Sequence, residues 1–192
     1  MKQFLVITNL YPPQELGGYG RSIADFVWGL QQRGHRIQVL SSDAPSLGPS
    51  TPVGPSGEPV ERLLQLKGRY QGGVQALQDP SQRLAIDRAN GERIRTWLAQ
   101  HSWDGILLGN LDLLGPELLP ALLEPGLTVQ HHVGFVHPPF PPSQWPSQAN
   151  YQLVAASQAV RDALVAAGLP VSTCAVAYPG VRTELFGSNA AT

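Results

Sequence analysis

The sequence predicts an α/β protein: one parallel sheet of about seven strands with helices on both faces. Three observations carry that expectation. Short apolar runs, such as Phe4-Leu5-Val6-Ile7 and Ile37-Gln38-Val39-Leu40, alternate along the chain with segments of helical period. A glycine-rich entrance, Gly17-Gly18-Tyr19-Gly20, stands between the first run and the first helix. With 192 residues, 42% hydrophobic and 14% charged, the chain suits a single folded domain with a substantial core.

The elements follow in order. Ile23, Phe26, Val27 and Leu30 recur at i, i+3, i+4, i+7, one face of a helix that ends at Arg33-Gly34. Residues 44–59 are rich in Pro, Gly and Ser, have no period and read as a long surface loop. Val60 to Leu66 reads as a third strand, and residues 67–78 match no template. Asp79-Pro80 caps a helix whose buried face carries Ile94, Trp97 and Leu98. Gly91 within it costs about 1 kcal/mol against Ala. Ile106-Leu107-Leu108 is a strand, and Pro116 starts a short helix with Leu118, Leu119 and Leu122 inward. Glu124-Pro125-Gly126 stops that helix, and Leu127 to Gln130 is a strand running into His131-His132. Pro138-Pro139-Phe140-Pro141-Pro142 must be a loop. Leu153-Val154-Ala155 is a strand, and Ser157 caps a helix lined by Val160, Leu164 and Ala167 that Gly168 and Pro170 end. Ala175-Val176-Ala177 closes the set.

Composition excludes several classes. A formal net charge of -1 supplies no basic field for nucleic acid. Cys174 is alone, so no intrachain disulfide forms, and its apolar setting reads as core. No apolar stretch approaches the ~18 residues of a membrane helix. The apolar run after Lys2-Gln3 is too short for a signal peptide. A cytoplasmic protein is the default expectation, with membrane contact at most peripheral.

The glycine loop admits several readings. A dinucleotide fingerprint needs its glycines tight against the strand, yet Gly17 comes ten residues after Ile7 and Ile23 stands where the third glycine belongs. A Walker loop needs Lys-Ser/Thr where this chain has Arg21-Ser22. A plain flexible connection without ligand stays open. Otherwise Gly17 and Gly18 are approach points for a phosphate or sugar, because unpaired N–H groups at a helix N-terminus face an anion there.

Tyr11-Pro12-Pro13, then Gly17-Gly18-Tyr19-Gly20-Arg21-Ser22, then Arg33-Gly34-His35-Arg36-Ile37-Gln38-Val39-Leu40 resembles the start of a GT-B glycosyltransferase of retaining family 4. The stretch Leu153 to Arg161, then Ala167-Gly168, then Tyr178-Pro179-Gly180-Val181-Arg182-Thr183-Glu184-Leu185-Phe186 is similar to that family's closing pattern. Pro179 and Arg182 depart from it, where Asn and Asp are usual. The resemblance implies a Rossmann-like fold and an enzyme of two such domains with the active site between them. Residues 1–192 then correspond to the N-terminal, acceptor-side domain, and the C-terminal nucleotide-sugar-binding domain is absent from them. That second domain carries an E-x7-E pair; Glu117 and Glu124 here are E-x6-E and read as solvated helix-end charge. The implied reaction moves a sugar from a nucleotide-sugar donor to a sugar or lipid-type acceptor hydroxyl, with no cofactor and no metal. One half alone is expected to be inactive. A non-catalytic module of the same fold, binding a sugar, a nucleotide or a partner protein, is the rival reading.

Candidate site residues follow. The resemblance aligns His131 with a histidine that contacts donor and acceptor, and His132 with an aspartate. Adjacent strand residues point to opposite faces, so only one of the two faces the cleft; either is otherwise a structural histidine. Gly17, Gly18 and His131 are expected on one rim, since the loop and the histidine both follow strand C-terminal ends. Tyr19 lies beside the glycines, and Arg21 either pairs with an anion or is a solvated first-turn residue. Asn110, just past a strand, is a cleft contact or a turn residue. His131, His132 and His137 lack a fixed carboxylate or thiolate to complete a zinc set. Phe135, Phe140 and Trp145 offer an aromatic face to a sugar or pack on their own domain. With the second domain absent, Tyr19, Phe140 and Trp145 are expected to form an exposed apolar wall that self-associates or meets a separate domain.

Overall fold

A computed structural model describes residues 1–169 and 174–183. Pro170 and the Glu184-Leu185-Phe186 stretch lie outside the described residues. The strands are β1 (Gln3–Ile7), β2 (Arg36–Ser42), β3 (Val60–Leu64), β4 (Gly68–Tyr70), β5 (Val74–Ala76), β6 (Gly105–Leu108), β7 (Val129–Val133), β8 (Tyr151–Ala155) and β9 (Ala175–Val176). The helices are α1 (Tyr19–Gln32), α2 (Pro80–Gln100), α3 (Leu119–Leu123) and α4 (Gln158–Ala166). Seven strands form one parallel sheet in the order β3-β2-β1-β6-β7-β8-β9, the expected Rossmann-like α/β architecture.

Strand alternation divides the core. Leu5, Ile7, Leu40, Ile106, Leu108 and Val129 bury against Ile94 and Leu98 of α2 and Leu119 and Leu122 of α3. Val6, Ile37 and Val39 bury on the other face against Ile23, Ala24 and Val27 of α1. On that second face, Leu107, Gln130, His132 and Val154 border an open cavity of about 430 Å³ beside Phe26 and Leu30. The expected caps form: Asp79 Oδ1 accepts from the Ser81 N–H (2.8 Å), and Ser157 Oγ from the Val160 N–H (3.2 Å).

Three local readings need correction, and a fourth needs an addition. Residues 67–78 form a small antiparallel hairpin, β4–β5, separate from the main sheet. The third strand stops at Leu64 because Asn90 of α2 takes both the N–H and the carbonyl of Gln65 (2.9 and 2.8 Å). The strand expected at 127–130 is Val129–Val133, so both histidines lie within it. Glu117 is exposed at a helix end, as expected, and it also holds the buried Lys67 (2.6 Å), which pairs with Asp87 as well (2.9 Å). That triad ties the hairpin to α2 and the turn before α3. Arg182 pairs with Asp25 of α1 (2.9 Å) and lies 5.6 Å from the centre of the Trp28 ring, fastening the tail after β9 to α1. Among the described residues no helix is long and apolar enough to cross a membrane.

Candidate functional site

From β1 the chain winds outward to β2 on one side, while β6 adds on the other side. The strand order reverses between β1 and β6, and crevices at such points take ligands at the strand C-terminal ends. Thr8 and Asn9 continue β1 there, and Gly109 and Asn110 continue β6, joined by Asn9 N–H to Asn110 carbonyl (2.9 Å). Above them sits the glycine loop. Gly17 takes φ +70°, a conformation that favours glycine, and a Cβ at Gly17 or Gly18 meets nothing within 4 Å. The first helical bond of α1 runs from Ser22 N–H to Gly18 carbonyl (3.0 Å). The N–H groups of Tyr19, Gly20 and Arg21 therefore have no partner within the helix. No acidic side chain occupies this first turn.

Sequence reasoning missed what fixes this loop. Gln14, fully buried, donates to Asp43 (2.6 Å) and the Gly48 carbonyl (3.1 Å) and accepts from Ala44 N–H (2.8 Å). Arg62 donates to the carbonyls of Tyr11 (3.0 Å) and Pro12 (2.9 Å) and to Gln14 Oε1 (3.2 Å). Burial lowers the Arg62 pKa, against the opposing charge of Asp43. The Tyr11 hydroxyl bonds to the fully buried Glu58, which pins the far end of the 44–59 segment. Burial first, and Glu58 second, raise the Tyr11 pKa. So 44–59 is a surface loop, as expected, but one anchored at Ala44, Gly48 and Glu58 to residues 11–14, which lead into the glycine loop. The one available sequence signal was the polar Gln14 directly after Tyr11-Pro12-Pro13.

The two histidines face opposite sides of the sheet. His131 is 1% exposed, its Nδ1 2.6 Å from the Tyr151 hydroxyl, and its ring stacks with Phe140 and Trp145 at 6.2 Å each. Burial pushes its pKa down to about 3, with the neighbouring His132 adding and the Gly109 backbone opposing, so the imidazole is neutral. His132 lies on the α1 side, edge-on to Phe26 (4.9 Å). Its Nδ1 is 3.3 Å from the Tyr19 hydroxyl, and burial lowers its pKa too. Tyr19 donates its hydroxyl to the His132 carbonyl and stacks on Phe135 (5.4 Å). A Cβ at Gly134 would stand 2.4 Å from the Tyr19 ring, so glycine there admits the tyrosine.

The structure thus brings Gly17, Gly18, Tyr19, Asn110 and the His132 backbone to the β1/β6 crevice and its neighbour β7. His131 lies deeper, sealed under the proline loop. Arg21 is exposed and paired with Glu15 (2.7 Å), which raises its pKa through that hydrogen bond. Asn110 spans a turn, its Oδ1 accepting from Asp112 N–H (3.1 Å). The expected apolar wall is corrected: Phe140 is buried and Trp145 partly so, both packed on His131. Leu16, Phe135 and Val136 are the large apolar residues exposed near the glycine loop and after β7. Among the described residues no group of three His, Cys, Asp or Glu stands close enough to hold a metal ion.

Residues 16–185 match the sequence profile described as Glycosyltransferase Family 4. Solved structures share the fold at low identity. Anabaena HepE in complex with UDP-glucose is 17% identical with a TM-score of 0.62, covering 99% of this chain and 47% of that one. MurG of Acinetobacter baumannii is 13% identical, with a TM-score of 0.53, and covers 98% of this chain and 50% of that one. UDP-GlcNAc 2-epimerase of Neisseria meningitidis, bound to UDP-GlcNAc, is 14% identical with a TM-score of 0.53, covering 91% and 45%. The chain therefore spans about half the length of these structures. No curated protein sequence matches it.

Proposed function

The chain belongs to Glycosyltransferase Family 4, and from that premise we propose that it is the N-terminal, acceptor-side half of a retaining glycosyltransferase with a nucleotide-sugar donor. The observation that carries the reading is the open N-terminus of α1 at the strand-order reversal, with free N–H groups behind Gly17 and Gly18. In the reaction the bond from the sugar's anomeric carbon to the diphosphate breaks, the acceptor oxygen bonds to that carbon on the same face of the ring, and the acceptor's proton passes to the departing diphosphate. Negative charge grows on the leaving diphosphate, and backbone N–H donors at a helix N-terminus stabilise it without a metal. Tyr19, braced by Phe135 and His132, forms a wall of the crevice, and Asn110 its floor. A second α/β domain, not among these 192 residues, supplies the remaining donor contacts. Structures sharing the fold were solved with UDP-glucose and UDP-GlcNAc, which makes uridine diphosphate the first ligand to try.

The test has two parts. UDP added to the ¹⁵N-labelled chain should shift the amides of Gly17, Gly18 and Tyr19, and Gly18→Leu should remove that response by blocking backbone approach. Lack of any shift there at millimolar UDP counts against the site. Separately, the chain offered nucleotide sugars and sugar or lipid acceptors should transfer nothing, because preorganised contacts from both walls are needed. Robust turnover by these residues alone would overturn the half-enzyme reading.

A further inference from the structure

A second cavity, of about 690 Å³, opens beyond the C-terminal ends of β2 and β3, between the turn at Asp43, the hairpin and α2. Three guanidinium groups line it, those of Arg62, Arg69 and Arg93, against one carboxylate, Asp43. The Asp43 carboxylate is already engaged by Gln14. Elsewhere Lys67, Arg21, Arg95 and Arg182 each face an acid within 3 Å. Among the described residues none of the three cavity arginines has such a partner. Arg62 spends its donors on carbonyl and amide oxygens, so its charge is fixed there, offset only in part by Asp43. Arg69 commits only its Nε, to Gln75 (2.8 Å). Arg93 is the sharpest case: its Nη1 is buried and has no hydrogen-bond acceptor. A buried charged donor without an acceptor is costly, and an oxyanion that the Arg93 side chain turned to meet in the cavity would supply one. Leu63, Leu64, Leu66 and Ile86 add apolar surface to the lining, beside the polar Ser46, Gln65 and Tyr70, so the anion comes attached to a body of mixed surface.

We propose that this cavity is a binding subsite for a phosphate ester, gripped by Arg93 and Arg69 over the fixed charge of Arg62. Guanidinium groups match phosphate oxygens in pairs, which favours phosphate over a simple halide. The cavity lies on the same rim as Gly17, so the ester belongs to the acceptor, either a soluble sugar phosphate or a phospholipid headgroup. That assignment to the acceptor rests on the function proposed above; the binding of phosphate does not.

Inorganic phosphate, titrated into the ¹⁵N-labelled 192-residue chain against sodium chloride of equal ionic strength, should shift the amides of Arg69, Tyr70 and Arg93. Arg93→Gln should weaken that response about tenfold and Arg69→Gln about threefold, while Arg95→Gln, on the same helix but paired with Glu124, should leave it unchanged. Arg69 is on the exposed hairpin, so its variant tests the site even if Arg93→Gln unfolds. Gly18→Leu should also leave it unchanged, which separates failure here from failure of the nucleotide site. Sedimentation with phosphatidylglycerol vesicles, against phosphatidylcholine, then names the source. Arg93-dependent vesicle binding means a headgroup, and phosphate binding without vesicle binding means a soluble ester. Absence of an Arg93- or Arg69-dependent response to both probes, or an equal loss in Arg95→Gln, overturns the proposal.

Discussion

Burial holds the His131 imidazole at a pKa of about 3, below the 6.5 of a solvated histidine. Between those values the unfolded chain binds a proton that the folded chain refuses. The stability contributed is present in full above pH 6.5 and is lost as pH falls toward 3, by up to ~1.4 kcal/mol per pH unit. His132, shifted the same way, steepens the loss. Urea midpoints measured from pH 7 to pH 4 should therefore fall steeply, and His131→Gln should flatten that limb. An unchanged limb would mean that His131 does not sit neutral and buried. A second residue-scale expectation concerns Gly134, where a Cβ would stand 2.4 Å from the Tyr19 ring. Gly134→Ala should cost about 1–3 kcal/mol in thermal unfolding, and Tyr19→Leu made in addition should recover part of it. These contacts were only half legible beforehand. Alternation put the two histidines on opposite faces, but Phe140 and Trp145 reach His131 from a proline loop whose path no local pattern encodes.

Helices with a strong period were plain in the sequence: Ile23, Phe26, Val27 and Leu30 mark the face of α1 that packs on the sheet. The hairpin was not, because strands of three residues have no room to alternate. Its attachment is electrostatic and distant in sequence, through Lys67 to Asp87 and Glu117. Burial is the largest influence on the Glu117 pKa and raises it, but the hydrogen bond from Lys67, a backbone hydrogen bond and the charges of Lys67 and Arg83 together leave a net lowering. Lys67→Met should strand two acids around an apolar chain and cost about 3 kcal/mol in urea unfolding. A loss below about 0.5 kcal/mol would show the triad to be a surface pair in disguise. The support of the glycine loop was equally hidden. Gln14, Arg62 and Glu58 act across gaps of tens of residues, and only the folded chain brings them together.

At the scale of the molecule, the seven-stranded parallel sheet was legible because each strand is a compact apolar run between helices. The solved structures that share this fold are about twice as long as this chain. Leu16, Phe135 and Val136 are its large apolar residues exposed near the glycine loop and after β7.

The strand order has a consequence for biosynthesis. β1 is the middle of the sheet, yet its second neighbour, β6, begins only at Gly105. A ribosome needs on the order of 5–20 s to add those intervening residues. Once β3 is complete at Leu64, the nascent chain can pair β1 with β2 and β2 with β3, while the other side of Leu5, Val6 and Ile7 stays bare until Gly105 is added. Such an edge is a template for a second nascent chain. Residues 1–104 made alone should therefore scatter light and sediment as aggregates under conditions in which the 192-residue chain stays dispersed.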